Sequence, residues 1–382
     1  MITNKANYSE NLQKKTAESL GLVPGGSRGA IEIHRGYDFV PTVGSQPFDG
    51  PNRLARSEMR RTAWTTPGNP KAERLVFYEL LWAPLRDQVK NHFLSCFESR
   101  SIDREALCPS RFPGEPNSDS LRYLNGAMKD RILIEGFGDA IIVLGPLGDV
   151  LRDDIDLGIC MIATDLLEHE GLTTPIPEKT RCSLKSITND LDISQKAGLA
   201  LNKAKFFAMT QSLGSFLYMD TQQRYSQANR KALSGEPMAE EDLRDALLFF
   251  LTDRSTVYMM ANQIALLQLA RFAPKECRPD KEGVECPNRF LRGKDNSIDD
   301  SSADGQMRQY VAFNDVNDLL GFELPPYLAE TPMGTFINVS VDNPGLTIPF
   351  LFKNPHAAHT RHQDNPAVID AMVNGIPPLK SR

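Results

Sequence analysis

Three short stretches of this chain carry residues that could do covalent chemistry together. The first is Lys205-Phe-Phe-Ala-Met-Thr-Gln-Ser-Leu-Gly-Ser-Phe-Leu-Tyr-Met-Asp220, an apolar run followed by a run that can be helical. A strand, a sharp turn and a helix there would put Ser212 at the apex with its hydroxyl exposed. A small residue two places on, Gly214, lets strand and helix approach closely. The second is Asn314-Asp315-Val316-Asn317-Asp318, with two carboxylates, and the third is Asn354-Pro-His-Ala-Ala-His-Thr-Arg-His362, with three of the six histidines. A neutral serine hydroxyl is a poor nucleophile. It needs an imidazole to take its proton and a carboxylate to hold the resulting imidazolium.

Each of these stretches must be delivered by an ordered element. The apolar run before Ser212, Gln309 to Phe313, and the period-two run Thr335 to Val341 all read as strands. In open parallel sheets functional residues gather at the carboxyl ends of strands, so the three loops are expected at one edge. Ala30 to Ile33, Glu73 to Trp82 and Ser255 to Gln263 are further strand candidates. Asp87 to Phe97, Lys196 to Lys203 and Pro366 to Asn374 read as helices, the last with Gly375 as its cap. Ser120 to Glu170 is mainly helical, divided by Pro146 and Gly148, with Val150, Ile155, Ile159, Ile162 and Leu166 at helical spacing. Strands alternating with helices predict an α/β fold: a mostly parallel sheet with helices on both faces and loop or helical insertions.

Residues 1–28 are polar, with little apolar periodicity, and read as a flexible tail before a single domain over 29–382. Insertions are expected near 99–120, 222–242 and 274–307, where Pro, Gly, Ser and charge crowd together. The loop after Ala30 to Ile33 begins His34-Arg35-Gly36, and a backbone amide there is a candidate for binding an oxyanion. The Leu213 amide, at the start of the helix after the serine, is another.

Hydrophobic residues make up 41% of the 382, charged residues 24%, and the net charge is -6. No broad basic surface is available for nucleic acid or an anionic membrane. The first residues lack the pattern of a secretory signal, so a cytoplasmic location is expected. Ala140 to Leu147 and Phe249 to Leu269 are apolar but interrupted, and no integral membrane segment is expected. The cysteines at 96, 108, 160, 182, 277 and 286 have no zinc-ribbon spacing; Cys160 reads as a small core residue, and Cys277 and Cys286 as reduced thiols, with a local disulfide between them as the alternative in an oxidising compartment. His356, His359, His362 and Asp364 would have to wrap a metal ion from one short segment, so neither metal nor cofactor is expected.

The chain order nucleophile, acid, histidine is that of an α/β-hydrolase triad. TQSLGS resembles the THSLGS elbow of bacterial α/β-hydrolase-like esterases and lipases. VAFNDVNDLLGFELP resembles their acid-bearing loop, and FINVSV followed by NPHAAH resembles the last strand and its histidine loop. The likeness covers residues 200 to 375. Thr210 stands where that family often has glycine, Gln211 where it often has histidine, and His34-Arg35-Gly36 approximates the His-Gly oxyanion motif. The resemblance implies Ser212 as nucleophile, His359 as general base and acid, and Asp318 as the orienting carboxylate, with Asp315 and His362 as alternatives and Leu213 and Gly36 lending oxyanion amides. It implies hydrolysis of a carboxylic ester or lipid through an acyl-enzyme. A catalytically silent binding protein on the same scaffold is the alternative, because the elbow and the oxyanion loop depart from the family pattern.

Overall fold

The computed structural model describes residues 2–3, 9–33, 42–43, 46–47, 57–94, 136, 138–145, 147–172, 191–270, 308–325, 334–345, 347–348 and 352–376. Its strands are β1 (Ile2–Thr3), β2 (Val23–Ile33), β3 (Thr42–Val43), β4 (Gln46–Pro47), β5 (Ser57–Thr66) and β6 (Asn69–Leu81). Then follow β7 (Phe207–Gln211), β8 (Thr256–Met260), β9 (Gln309–Asn314), β10 (Thr335–Ser340), β11 (Thr347–Ile348) and β12 (Phe352–Lys353). Eight of them form one sheet in the order β10-β9-β8-β7-β1-β6-β5-β2, while β3–β4 and β11–β12 are separate small pairs. Strands β10, β9, β8 and β7 run parallel, and β1 pairs in parallel with both β7 and β6. Strands β6, β5 and β2 are joined antiparallel. Gln211 is in register with Met260, Met260 with Phe313, and Asn314 with Ser340. The loops after β7 and β9 therefore leave from the same edge of the sheet.

The helices are α1 (Glu10–Ser19), α2 (Ala83–Leu94), α3 (Gly138–Leu144), α4 (Leu147–His169), α5 (Leu191–Lys203) and α6 (Leu213–Ser234). They continue with α7 (Glu240–Thr252), α8 (Ile264–Ala270), α9 (Pro355–Thr360) and α10 (Pro366–Asn374). Alternate residues of the central strands enter two cores, because successive side chains of a strand point to opposite faces. Ala208, Val257, Met259, Tyr310 and Ala312 pack with Ile155, Phe216 and Leu248 of α4, α6 and α7. Met209, Tyr258, Met260, Val311 and Phe313 pack with Leu12 of α1 and with Val368 and Ile369 of α10. Helices thus cover both faces, as expected, and the strands read as continuous apolar runs for that reason. Each fully buried large side chain in these layers contributes about 1.5–3 kcal/mol.

Two expected loop regions are helical instead. Within 1–28, Glu10 to Ser19 form α1, with Leu12 and Ala17 fully buried, and Val23 begins β2. Helix α1 is polar on most of its surface, so two apolar residues anchor it where periodicity alone gives no signal. Its start is fixed by a distant side chain: Ser9 N and Ser9 Oγ donate to buried Glu79 at 3.1 and 2.5 Å. Within 222–242, α6 runs on to Ser234 and stops at Gly235 (φ 70°), and α7 begins at Glu240. Thr221, Gln222, Tyr225 and Ala228 give α6 a buried stripe at helical spacing that mixes polar with apolar residues. Glu240, Glu241 and Asp242 suit the positive end of α7, where the Asp242 carboxylate accepts from Ala239 N at 3.1 Å.

Strand β5 had no counterpart among the expected elements, because arginines occupy its centre. Arg61 is held there by Glu73 and Asp165. Cys160 is buried as expected but is disulfide-bonded. The expected insertions at 99–120 and 274–307 lie outside the described residues, as do His34, Arg35 and Gly36, Cys277 and Cys286. No helix among the described residues is long and apolar enough to cross a membrane.

Candidate active site

Ser212 sits between β7 and α6 with φ 54° and ψ -122°. Positive φ is uncommon outside glycine and costs on the order of 1–3 kcal/mol, so the surrounding structure must hold it. It does so from both sides: Ser212 N donates to Met260 O at 2.9 Å, extending the β7–β8 ladder by one bond, and α6 begins at the next residue. Thr210 is fully buried, and its hydroxyl bonds that of Ser215 in the first turn of α6 at 2.8 Å, which ties strand to helix.

His359 lies in the last turn of α9. That helix has Asn354 as its cap, whose side chain accepts from His356 N and Ala357 N, and Pro355 at its first position. The His359 Nε2 atom lies 3.2 Å from Ser212 Oγ. On the other side of the ring, Nδ1 is 2.9 Å from each oxygen of Asp318. With Nδ1 protonated toward the carboxylate, Nε2 presents its lone pair to the serine hydroxyl. The Asp318 side chain is 1% exposed and that of His359 17%, so the ion pair that forms on proton transfer is shielded from water on the acid side. Asp318 Oδ1 also accepts from Leu320 N at 2.9 Å. A Cβ at Gly321 would overlap Asp318 Oδ2, so the loop approaches the carboxylate as only glycine permits.

The two alternatives occupy supporting places. Asp315 accepts from Asn317 N and Asn317 Nδ2, both at 2.9 Å, and from Asn343 N at 2.8 Å. It thereby shapes the turn that presents Asp318. His362 is fully buried, and burial pushes its pKa down to about 4 against the pull of the Asp318 carboxylate. It is neutral at neutral pH. Leu213 supplies the first amide of the 22-residue helix α6, a donor without an acceptor one turn back within the helix. Among the described residues no group of three His, Cys, Asp or Glu could hold a metal ion, His356, His359, His362 and Asp364 included.

Two contacts with the histidine segment had no signal in the sequence. Gln211 Nε2 donates to the His359 carbonyl at 2.9 Å. Asn343 Nδ2 donates to the Ala358 carbonyl at 2.6 Å. Both join residues far apart in the chain, and carboxamides carry no pattern that marks such a partner.

Comparison of the chain with protein-family models, with curated proteins and with solved structures gave no match.

Proposed function

We propose that this chain is a serine hydrolase on an α/β-hydrolase scaffold, cleaving a carboxylic ester, lipids included, through an acyl-enzyme. The observation that carries the reading is the unbroken relay of Ser212 Oγ, His359 and Asp318 at 3.2 and 2.9 Å, with the serine on a strained strand-to-helix turn. The strand order, antiparallel at one end and parallel at the other, with the serine loop leaving a central strand, supports the scaffold.

The chemistry follows from the atoms present. Ser212 Oγ attacks the ester carbonyl carbon while His359 Nε2 takes the hydroxyl proton. The imidazolium is stabilised by the Asp318 carboxylate, which stays ionised. The carbonyl oxygen becomes an oxyanion, for which the Leu213 amide and the positive end of α6 are preorganised donors. Collapse expels the alcohol, which receives its proton from His359, and leaves an ester on Ser212. Water then attacks that ester with His359 again as base. The acid leaves and Ser212 regains its proton.

The test is covalent labelling by a fluorophosphonate together with hydrolysis of p-nitrophenyl esters, each compared with Ser212→Ala. Labelling of the native protein that disappears in the variant is expected. A native protein that neither labels nor hydrolyses would favour a catalytically silent binding role.

A further inference from the structure

We propose that Gln211 is a positioning residue that sets where His359 stands over the nucleophile; the inference rests on the hydrolase reading and deepens it. The carbonyls of the last turn of helix α9 (Pro355–Thr360), like those of any α-helix, have no donors within the helix. They are taken in turn: the Ala357 carbonyl by Arg361 N at 3.1 Å, Ala358 by Asn343 Nδ2 at 2.6 Å, and His359 by Gln211 Nε2 at 2.9 Å. The last two donors come from other parts of the chain. Asn343 is itself fixed, its amide by Asp315 and its side-chain oxygen by Asn365 Nδ2 at 2.9 Å. Gln211 needs no such intermediary, because it is the residue before Ser212.

The two residues that exchange the proton are therefore tied twice. One tie is the reactive contact between Ser212 Oγ and His359 Nε2. The other runs from the side chain beside Ser212 to the main chain of His359. A backbone tie fixes the Cα of His359, while Asp318 fixes the tilt of its ring. With both in place the Nε2 position has little freedom left. Gln211 is 7% exposed, so its carboxamide bonds in a shielded setting where loss of a donor is not made good by bulk water. A displacement of about 1 Å at such a site is enough to cost on the order of a hundredfold in rate.

The experiment compares the native protein with Gln211→Leu and Gln211→Met, both of similar size and unable to donate. Three quantities are read: the second-order labelling rate with a fluorophosphonate, kcat and KM on p-nitrophenyl butyrate, and the NMR relaxation of the His359 ring. The expected result is a fall in labelling and in kcat of about tenfold or more, KM within about twofold, and a more mobile His359 ring. Labelling within about twofold of native with an equally ordered ring would overturn the assignment. If one variant does not fold, the other supplies the comparison. If the native protein is not labelled at all, the hydrolase reading falls, and ring mobility alone then decides the role of Gln211: a ring unchanged in the variants overturns it, and a loosened ring upholds it.

Discussion

Both carboxylate oxygens of Asp318 stand 2.9 Å from Nδ1 of His359, whereas Asp315, three residues earlier, spends its oxygens on the turn and on Asn343. Two acids on one short loop thus have separate tasks. Asp318→Asn is expected to keep the fold and lower kcat by about 10⁴-fold, because an amide favours the wrong imidazole tautomer. Asp315→Ala, which leaves buried donors unpaired, is expected to cost about 3 kcal/mol of stability and to lower kcat far less. Ester kinetics and urea unfolding of both variants check this, and a larger kcat loss in Asp315→Ala than in Asp318→Asn would exchange the two roles.

The buried hydroxyl pair of Thr210 and Ser215 ties the strand to the helix on either side of the strained serine. Thr210→Val keeps the shape and removes one hydroxyl, leaving that of Ser215 without this partner. The expected cost is about 1–2 kcal/mol in urea unfolding. No measurable shift in the midpoint would mean that the tie contributes nothing net.

Asp154 is held at the start of β5 by the hydroxyl of Ser57 and is buried at 3% exposure. Burial pushes its pKa up to about 7, more than the serine hydroxyl pulls it down, and Asp153 adds to the rise. In the unfolded chain the carboxyl loses its proton near 4. Between about pH 4 and 7 the folded state therefore holds a proton that the unfolded state has lost, and stability falls as pH rises through that window. The full effect is on the order of 4 kcal/mol. Asp154→Asn, which can still accept from Ser57, is expected to flatten the dependence and to be the more stable protein at pH 8. Urea unfolding at pH 5 and pH 8 measures it; an unchanged slope in the variant would remove Asp154 as its source.

Much of the parallel half of the sheet was legible because its strands are buried on both faces. Runs such as Gln309 to Phe313 and Ser255 to Gln263 are short and largely apolar in their centres, which favours a buried strand over a helix. The three chemical loops were legible because serine, aspartate and histidine stand out at strand ends, and the structure does bring Ser212, Asp318 and His359 together. Where the signal failed, the fold is held by distant polar partners. Helix α1 rests on Leu12 and Ala17 and on a cap from Glu79; the second half of α6 carries a buried stripe that includes Gln222 and Tyr225; β5 places Arg61 among acids. The Gln211 carboxamide meets a backbone carbonyl, a partner that leaves no trace in residue type.

Among the described residues, strand β1 (Ile2–Thr3) links the antiparallel side of the sheet to the parallel side. It pairs with β6 at Leu80 and Leu81 and with β7 at Thr210. On the other flank, β7 pairs with β8 along all five of its residues. The strand that carries the serine thus stands at the boundary between the parallel strands and the antiparallel set, which it reaches through β1. Ser212 belongs to the β8 side of that boundary, bonded through its amide to Met260 and through its hydroxyl to His359, with Asp318 behind the imidazole.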